Sequence, residues 1–372
     1  MKIALINTVN LEENGISTFI LNNSYLFSKW GEDVAIIAPN KVKKAFKKRI
    51  ISKGIRLIEL PMRDNSPQIY FWKLIKVLKK EKYDIVHVNG NSTTMSIELL
   101  AAWFAGIKVR IAHSHNTTAD HTKINKLLRP IFNLTVNGRV ACNIAAGKWL
   151  FHQKKFLVIR NGINLSHFHF DESLRENYRK TLKLNKDDIL LGNVGRFNRQ
   201  KNQVVLLDLI KQLGDNYYLV LVGSGVNFEK IKKRVDSDVF LRKHIFFTGA
   251  VSDTSGWLNA MDLFLLPSLY EGQPYTLIEA TASGLDAVVS NIISSENDLV
   301  SNISFERLDS PKDWVQKIKI PIANKRELRS NSYCQKLKEK GYDTTENAKM
   351  LLKYYKKKIS ADCKIKLNTF EK

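Results

Sequence analysis

Glu271 and Glu279 lie eight positions apart, directly after the apolar run Leu263 to Leu266. The pattern predicts a strand, a loop from Pro267 to Gln273, and a helix opening near Pro274, where a proline gives up no needed donor. Free N–H groups and the positive end of that helix suit an anion such as a phosphate. Glu271 falls just before the helix and Glu279 in its second turn, so the carboxylates would approach one ligand from different heights. Both can accept hydrogen bonds from sugar hydroxyls, which fits a hydroxyl-rich ligand whose other end is a phosphate. One capping and one solvated glutamate would leave the same spacing.

A second cluster, Gly195 to Lys201, follows the apolar run ending at Val194. Glycine lets the chain turn tightly, and Arg196 and Lys201 then bring two cations to the strand's end. A departing nucleoside diphosphate gains negative charge in the transition state, and fixed cations stabilise that gain. A solvated basic turn is the plainer alternative. Gly15, between the first strand and a helix expected over Thr18 to Trp30, lacks the three-glycine dinucleotide fingerprint, so its position matters more than its pattern. His113 and His115 alternate along one strand, with His121 downstream, but no carboxylate or cysteine completes a metal site. His115, nearer the strand's carboxyl end, suits a substrate hydroxyl, or else packing within its loop. Asp236-Ser-Asp238 is the sole Asp-x-Asp and sits in a lysine-rich helical stretch away from any strand end, so it is rejected as a metal site.

The elements that must position these residues form two series. Apolar runs at Ile3–Asn7, Val34–Pro39, Arg56–Leu60, Ile85–Asn89, Val109–His115, Val140–Ala146 and Phe156–Arg160 alternate with helix-like stretches. The alternation restarts at Ile189–Gly195 and continues through Tyr218–Gly223, Ile245–Gly249, Leu263–Ser268 and Ala287–Asn291. The expected organisation is an α/β chain with a first domain over 1–164, a linker over 165–187, a second domain over 188–342, a helix over 343–358 and a tail over 359–372. Ligands of open parallel sheets bind beyond the strands' carboxyl ends, so two such domains would face each other across a cleft.

Composition sets the outer limits. At 372 residues, with 44% hydrophobic and 26% charged residues, the chain suits roughly two globular cores. No apolar run approaches the length that crosses a bilayer and no signal pattern opens the chain, so a cytoplasmic protein is expected. Three cysteines at spacings that match no zinc or redox motif suit a reducing compartment. The net charge of +23 implies attraction to something anionic. Lys41 to Arg49 reads as a membrane contact. Phe71, Leu74, Ile75 and Leu78 follow helical spacing among lysines, as expected of a solvated face over a core stripe, and a helix lying on a membrane has the same pattern.

With those residues in view, the chain resembles the retaining glycosyltransferase family 4, particularly the members that build bacterial exopolysaccharide and capsule. Tyr270 to Gly284 looks like the family's Glu-x7-Glu signature, Gly195 to Asn202 its cationic loop, and Arg110 to Thr117 with Ala141 to Phe151 the capsule-type subgroup. The resemblance implies a GT-B fold of two Rossmann-like domains and no metal or other cofactor. It implies that Arg196 and Lys201 hold the diphosphate, Glu271 the transferred sugar and Glu279 the ribose. Gly272, Tyr275 and Thr276 would join the donor site, Gly15 would admit the diphosphate to the N-terminal loop, and His115 would lie beside sugar and acceptor. The implied partners are a nucleotide-sugar, a UDP-sugar by preference, a lipid-linked saccharide and an anionic membrane surface at the inner face of the plasma membrane. The final helix, about Thr344 to Lys356, would cross back to the first domain. Asp286 stands where the family has proline, Arg160 where proline precedes Asn161-Gly162, and Asn164 where aspartate is usual. Those departures motivate one rival, an inactive partner in polysaccharide assembly. The other rival, a nucleic-acid binder, rests on charge alone, with no aromatic-interleaved basic ribbon or helix-turn-helix to support it.

Overall fold

The computed structural model describes residues 1–12, 14–116, 122–319 and 325–370, with the backbone alone at 122 and 362–370. His121 lies outside the described residues, as does the side chain of Cys363. Two compact units emerge, one of Met1–Gly162 with Thr344–Lys372 and one of Ile163–Asp343.

The first unit is built on a seven-stranded sheet: β1 (Lys2–Asn7), β2 (Asp33–Ala38), β3 (Arg56–Glu59), β4 (Ile85–Gly90), β5 (Val109–Ser114), β6 (Gly138–Ala141) and β7 (Leu157–Val158). Its order is β3-β2-β1-β4-β5-β6-β7 and every pairing is parallel. The buried runs along β1, β2 and β4 reflect a sheet covered on both faces. One cover includes the helices Pro67–Glu81, Ser96–Phe104, Arg129–Thr135 and Ile144–Phe151, through Leu74, Leu78, Leu99, Phe132 and Leu150. The other includes Gly15–Lys29 and Lys44–Ser52, together with Leu351 and Tyr355 of the last helix. That last helix runs from Thr344 to Phe370, well past the expected end.

The second unit holds β8 (Ile189–Val194), β9 (Tyr217–Val222), β10 (Ile245–Gly249), β11 (Leu263–Leu266), β12 (Asp286–Ser290) and β13 (Ile303–Glu306), ordered β10-β9-β8-β11-β12-β13 and again parallel. The segment 165–187, expected to be a linker, belongs to this unit. Its helix Glu172–Thr181 is pinned by Arg175 and Arg179, which reach the two oxygens of Asp262 at 2.6 and 2.9 Å.

Three local differences from the expectations have physical causes. The Val140–Ala146 run stops being a strand at Ala141, because the Asn143 side chain accepts from Ala146 N at 2.7 Å and caps the helix Ile144–Phe151. Pro274 is the cap and not the first helical residue, since its ψ of 119° is still extended. The unanticipated β13 reads Ile-Ser-Phe-Glu, too short and too mixed to stand out.

Candidate active site

Each sheet reverses its direction of growth once, between β1 and β4 in the first unit and between β8 and β11 in the second. Strand ends at such a switch point splay their loops apart and leave a crevice. In the second unit the two loops concerned are those singled out from the sequence, Gly195–Lys201 after β8 and Pro267–Pro274 after β11.

The first loop is held by its own backbone. Phe197 is fully buried, its N–H donates to Ser224 O at 2.9 Å, and its carbonyl accepts from Asn227 N at 3.0 Å. Gly223, at φ +138°, and Gly225 allow this approach, since a Cβ on them would meet Gly195 O at 2.0 Å and Phe197 O at 2.4 Å. Asn198 Oδ1 accepts from Lys201 N at 3.0 Å and closes the turn. Gly195 leaves room for the lysine stem, as a Cβ there would lie 3.2 Å from Lys201 Cε. Arg196 sits on the same turn, half-buried, with its carbonyl accepting from Gln203 Nε2 at 3.2 Å.

The two loops are tied to each other. Leu269 N donates to Gln200 O at 2.8 Å, and Gln200 Nε2 donates to Tyr270 O at 2.9 Å. Across this tie Lys201 Nζ meets Glu271 Oε1 at 2.6 Å, with side-chain exposures of only 14% and 8%. Asn297 Nδ2 donates to Gly272 O at 3.2 Å and steadies the turn beyond it. The helix Tyr275–Ala282 then opens, with Tyr275 and Thr276 in its first turn. Thr276 Oγ1 is buried and makes no hydrogen bond among the described residues. Glu279 follows in the second turn, where Thr254 Oγ1 donates to its Oε2 at 3.4 Å. Desolvation pushes the Glu279 carboxyl up to about 7, helped by the charge of Asp253 and opposed by the Thr254 hydrogen bond. Arg196, Lys201, Glu271, Gly272, Tyr275, Thr276 and Glu279 thus share one end of one sheet.

Gly15 and His115 belong to the first unit. Gly15 opens the helix Gly15–Lys29, capped by Asn14 Oδ1 accepting from Ser17 N at 2.9 Å. One turn on, Phe19 presents its edge to the rings of His113 and His115 at 4.6 and 5.2 Å. His115 lies just past β5 and stacks on His113 at 4.0 Å, which in turn stacks on His87 at 5.2 Å. His113 is fully buried with both ring nitrogens unpaired among the described residues, which withdraws it from ligand contact. Burial lowers all three imidazoles, His87 and His115 to about 3, so the column stays neutral at ordinary pH.

Sequence reasoning missed Asn89, whose only signal is a polar residue in a buried strand. Its Nδ2 donates to Ile6 O and His87 O, both at 3.3 Å, so its Oδ1 must face His115 Nε2 at 3.0 Å. This assigns the proton to Nε2 and leaves His115 Nδ1 as an acceptor.

The residues that depart from the family pattern have structural work. Asp286 Oδ2 pairs with Arg329 at 2.5 Å and its Oδ1 accepts from Tyr333 OH at 3.3 Å. Asn164 caps the helix Leu165–Phe168 by accepting from His167 N at 3.3 Å, as an aspartate would. Arg160 lends its carbonyl to Asn347 Nδ2 at 3.1 Å. Asp236 and Asp238 are taken by Lys232 and Lys211.

Comparison with known proteins identifies the family and the fold. Residues 13–167 match the family described as Glycosyltransferase Family 4, and residues 175–343 that described as Glycosyl transferases group 1. EpsF of Bacillus subtilis is 30% identical over 84% of this chain and 85% of its own length. CapH of Staphylococcus aureus, a capsular polysaccharide biosynthesis glycosyltransferase, is 30% identical over 75% of this chain and 79% of its own. An Escherichia coli UDP-Gal:alpha-D-GlcNAc-diphosphoundecaprenol alpha-1,3-galactosyltransferase is 32% identical over 62% of this chain and 63% of its own. Among solved structures, HepE of Anabaena in complex with UDP superposes with a TM-score of 0.76 at 15% identity, covering 95% of this chain and 99% of HepE. A glycosyltransferase from Rickettsia africae reaches 0.79 at 18% identity, covering 96% of this chain and 99% of that one. With both units matched and 30% identity held across most of EpsF and CapH, the chain belongs to glycosyltransferase family 4 and is an enzyme of GT-B fold with two Rossmann-like domains.

Proposed function

We propose that the protein transfers a sugar, with retention of anomeric configuration, from a UDP-sugar to a lipid-linked saccharide in the assembly of a bacterial surface polysaccharide. The observation that carries this reading is the Lys201–Glu271 pair at 2.6 Å, set at the β8/β11 switch point beside Arg196. It supports a reading in which the cation takes a diphosphate beside a carboxylate that takes sugar hydroxyls. The donor is taken from the UDP bound to HepE, and the acceptor from the diphosphoundecaprenol substrate in the E. coli relative's name.

In this reading Arg196 and Lys201 hold the diphosphate and neutralise the charge that grows as the sugar departs, so the protein dispenses with a metal. Glu271 orients the transferred sugar and Glu279 grips the ribose. Gly272, Tyr275 and Thr276 line the donor around them. His115 Nδ1 accepts a hydroxyl of the sugar or acceptor, and the loop before Gly15 approaches the diphosphate. Attack comes from the face the phosphate leaves, with that phosphate taking the acceptor proton, so no side chain serves as nucleophile. The acceptor's lipid places the enzyme at the cytoplasmic face of a membrane.

The test is UDP release from a panel of UDP-sugars with lipid-linked acceptors, in the presence and absence of chelator. Turnover that survives chelation and falls in Lys201→Ala and Glu279→Ala supports the reading. Turnover unchanged by both substitutions would falsify the site assignment.

A further inference from the structure

In the lysine-rich segment 41–49 and just past it, the large apolar residues Phe46 and Ile50 are buried in the core. A cluster of exposed aromatic side chains in the first unit lies elsewhere. On the helix Pro67–Glu81, Ile69 and Trp72 project outward, Trp72 at 68% exposure. On the neighbouring helix Ser96–Phe104, Trp103 and Phe104 are exposed, Phe104 at 59%. The rings form one cluster: Phe71 lies 5.6 Å from Trp72 and 6.2 Å from Phe104, and Phe104 lies 6.2 Å from Trp103. The helix Arg129–Thr135 packs on the same helix Ser96–Phe104 and adds Leu134 at 68% exposure. A contiguous aromatic patch left in water marks an interaction site.

The charge around the patch identifies its partner. Lys76 lies one helical turn from Trp72 on the same stripe, followed by Lys79 and Lys80, and Lys108 lies just past Phe104; all are exposed and none is ion-paired among the described residues. The acidic side chains of these three helices are Glu81 and Glu98, and both are already neutralised, by Lys2 with Arg56 and by Arg63. Tryptophans set among unpaired lysines, on helices whose two described carboxylates are both paired, match the headgroup region of an anionic bilayer: rings at the acyl boundary, ammonium groups at the phosphates. Among the described residues no helix is long and apolar enough to cross a membrane, so contact would be at the surface.

We propose that this face, Trp72, Trp103, Phe104 and Leu134 with Lys76 and Lys108, docks the protein on an anionic lipid surface. The inference deepens the reading above and rests on it for the identity of the acceptor's surroundings. The test is binding of the full chain to mixed phosphatidylcholine–phosphatidylglycerol vesicles and to pure phosphatidylcholine vesicles, with tryptophan emission and quenching by lipid-borne quenchers. Sedimentation is run without lipid, and UDP release is followed in parallel with a water-soluble acceptor. The expected result is binding to the mixed vesicles with blue-shifted, quenched emission. It should weaken about tenfold or more in Trp72→Ser/Trp103→Ser/Phe104→Ser and in Lys76→Glu/Lys108→Glu. Both variants should keep the wild-type circular dichroism and the same turnover of the soluble acceptor. Wild-type vesicle affinity in both variants overturns the proposal, as does a lipid-free dimer that the aromatic variant dissolves while vesicle binding persists. Absence of any soluble-acceptor turnover in the wild type would instead count against the proposed activity, leaving the vesicle result to stand or fall by itself.

Discussion

Lys201 Nζ and Glu271 Oε1 meet at 2.6 Å from loops that follow two adjacent strands, β8 and β11. The pair is nearly closed to solvent, so each charge depends on the other. Removing one partner leaves the other desolvated and unpaired, at a cost of about 1–3 kcal/mol in stability. Lys201→Ala and Glu271→Ala should each lower Tm, and the double variant should be less destabilised than the sum of the two. A double-mutant cycle by denaturant unfolding measures this coupling, and strict additivity would contradict it.

Glu279 provides a pH dependence with a definite sign. Its carboxyl is raised from an ordinary 4.5 to about 7 in the folded protein. Its contribution to stability is therefore complete below about 4.5 and is lost as pH rises through 7. Relative to Glu279→Gln, the ligand-free wild type should lose on the order of 1–3 kcal/mol across that window in urea unfolding. In the proposed donor pose ribose hydroxyls would donate to the ionised form, so UDP binding should release a proton below pH 7 and weaken on acidification. Calorimetry in buffers of different ionisation enthalpy reads that proton directly, and Glu279→Gln should abolish it.

Asn89 fixes the tautomer of His115. In Asn89→Asp a carboxylate would replace the amide oxygen at 3.0 Å and raise the imidazole from about 3 toward neutrality. The variant should gain an acid limb in its kcat/KM profile within the neutral range, and nitrogen-15 NMR should find Nε2 protonated in the wild type. An Nδ1-protonated wild type would contradict the assignment.

Asp286 should matter to folding and not to turnover. Asp286→Ala removes the Arg329 pair and the Tyr333 hydrogen bond from a partly exposed carboxylate, at about 1 kcal/mol. Tm should fall by a few degrees while kcat and KM stay near the wild-type values.

Much of this architecture is legible in the sequence because buried parallel strands are short, continuous Val- and Ile-rich runs that punctuate helical stretches. Arg196, Lys201, Glu271 and Glu279 were visible because each sits in a loop or first turns directly after such a run. What was not legible depended on tertiary partners. Asn143 caps a helix inside an apolar run, and Arg175 and Arg179 bind Asp262 from a segment without strand or core pattern. Asn89 is a single polar residue in a strand, and its role exists only because Ile6 O and His87 O claim its amide nitrogen. The aromatic patch escaped notice for a similar reason: Trp72 and Phe104 are far apart in sequence and are joined through Phe71.

The central claim is that Lys201 holds the diphosphate of a uridine nucleotide, and calorimetric titration of UDP and of uridine into wild type and Lys201→Met tests it most directly. The account predicts that UDP affinity falls about 10- to 100-fold while uridine affinity is unchanged, the loss expected for a charge-assisted contact to phosphate. Equal UDP affinity in the two proteins, with Lys201→Met folded as the wild type, would contradict it.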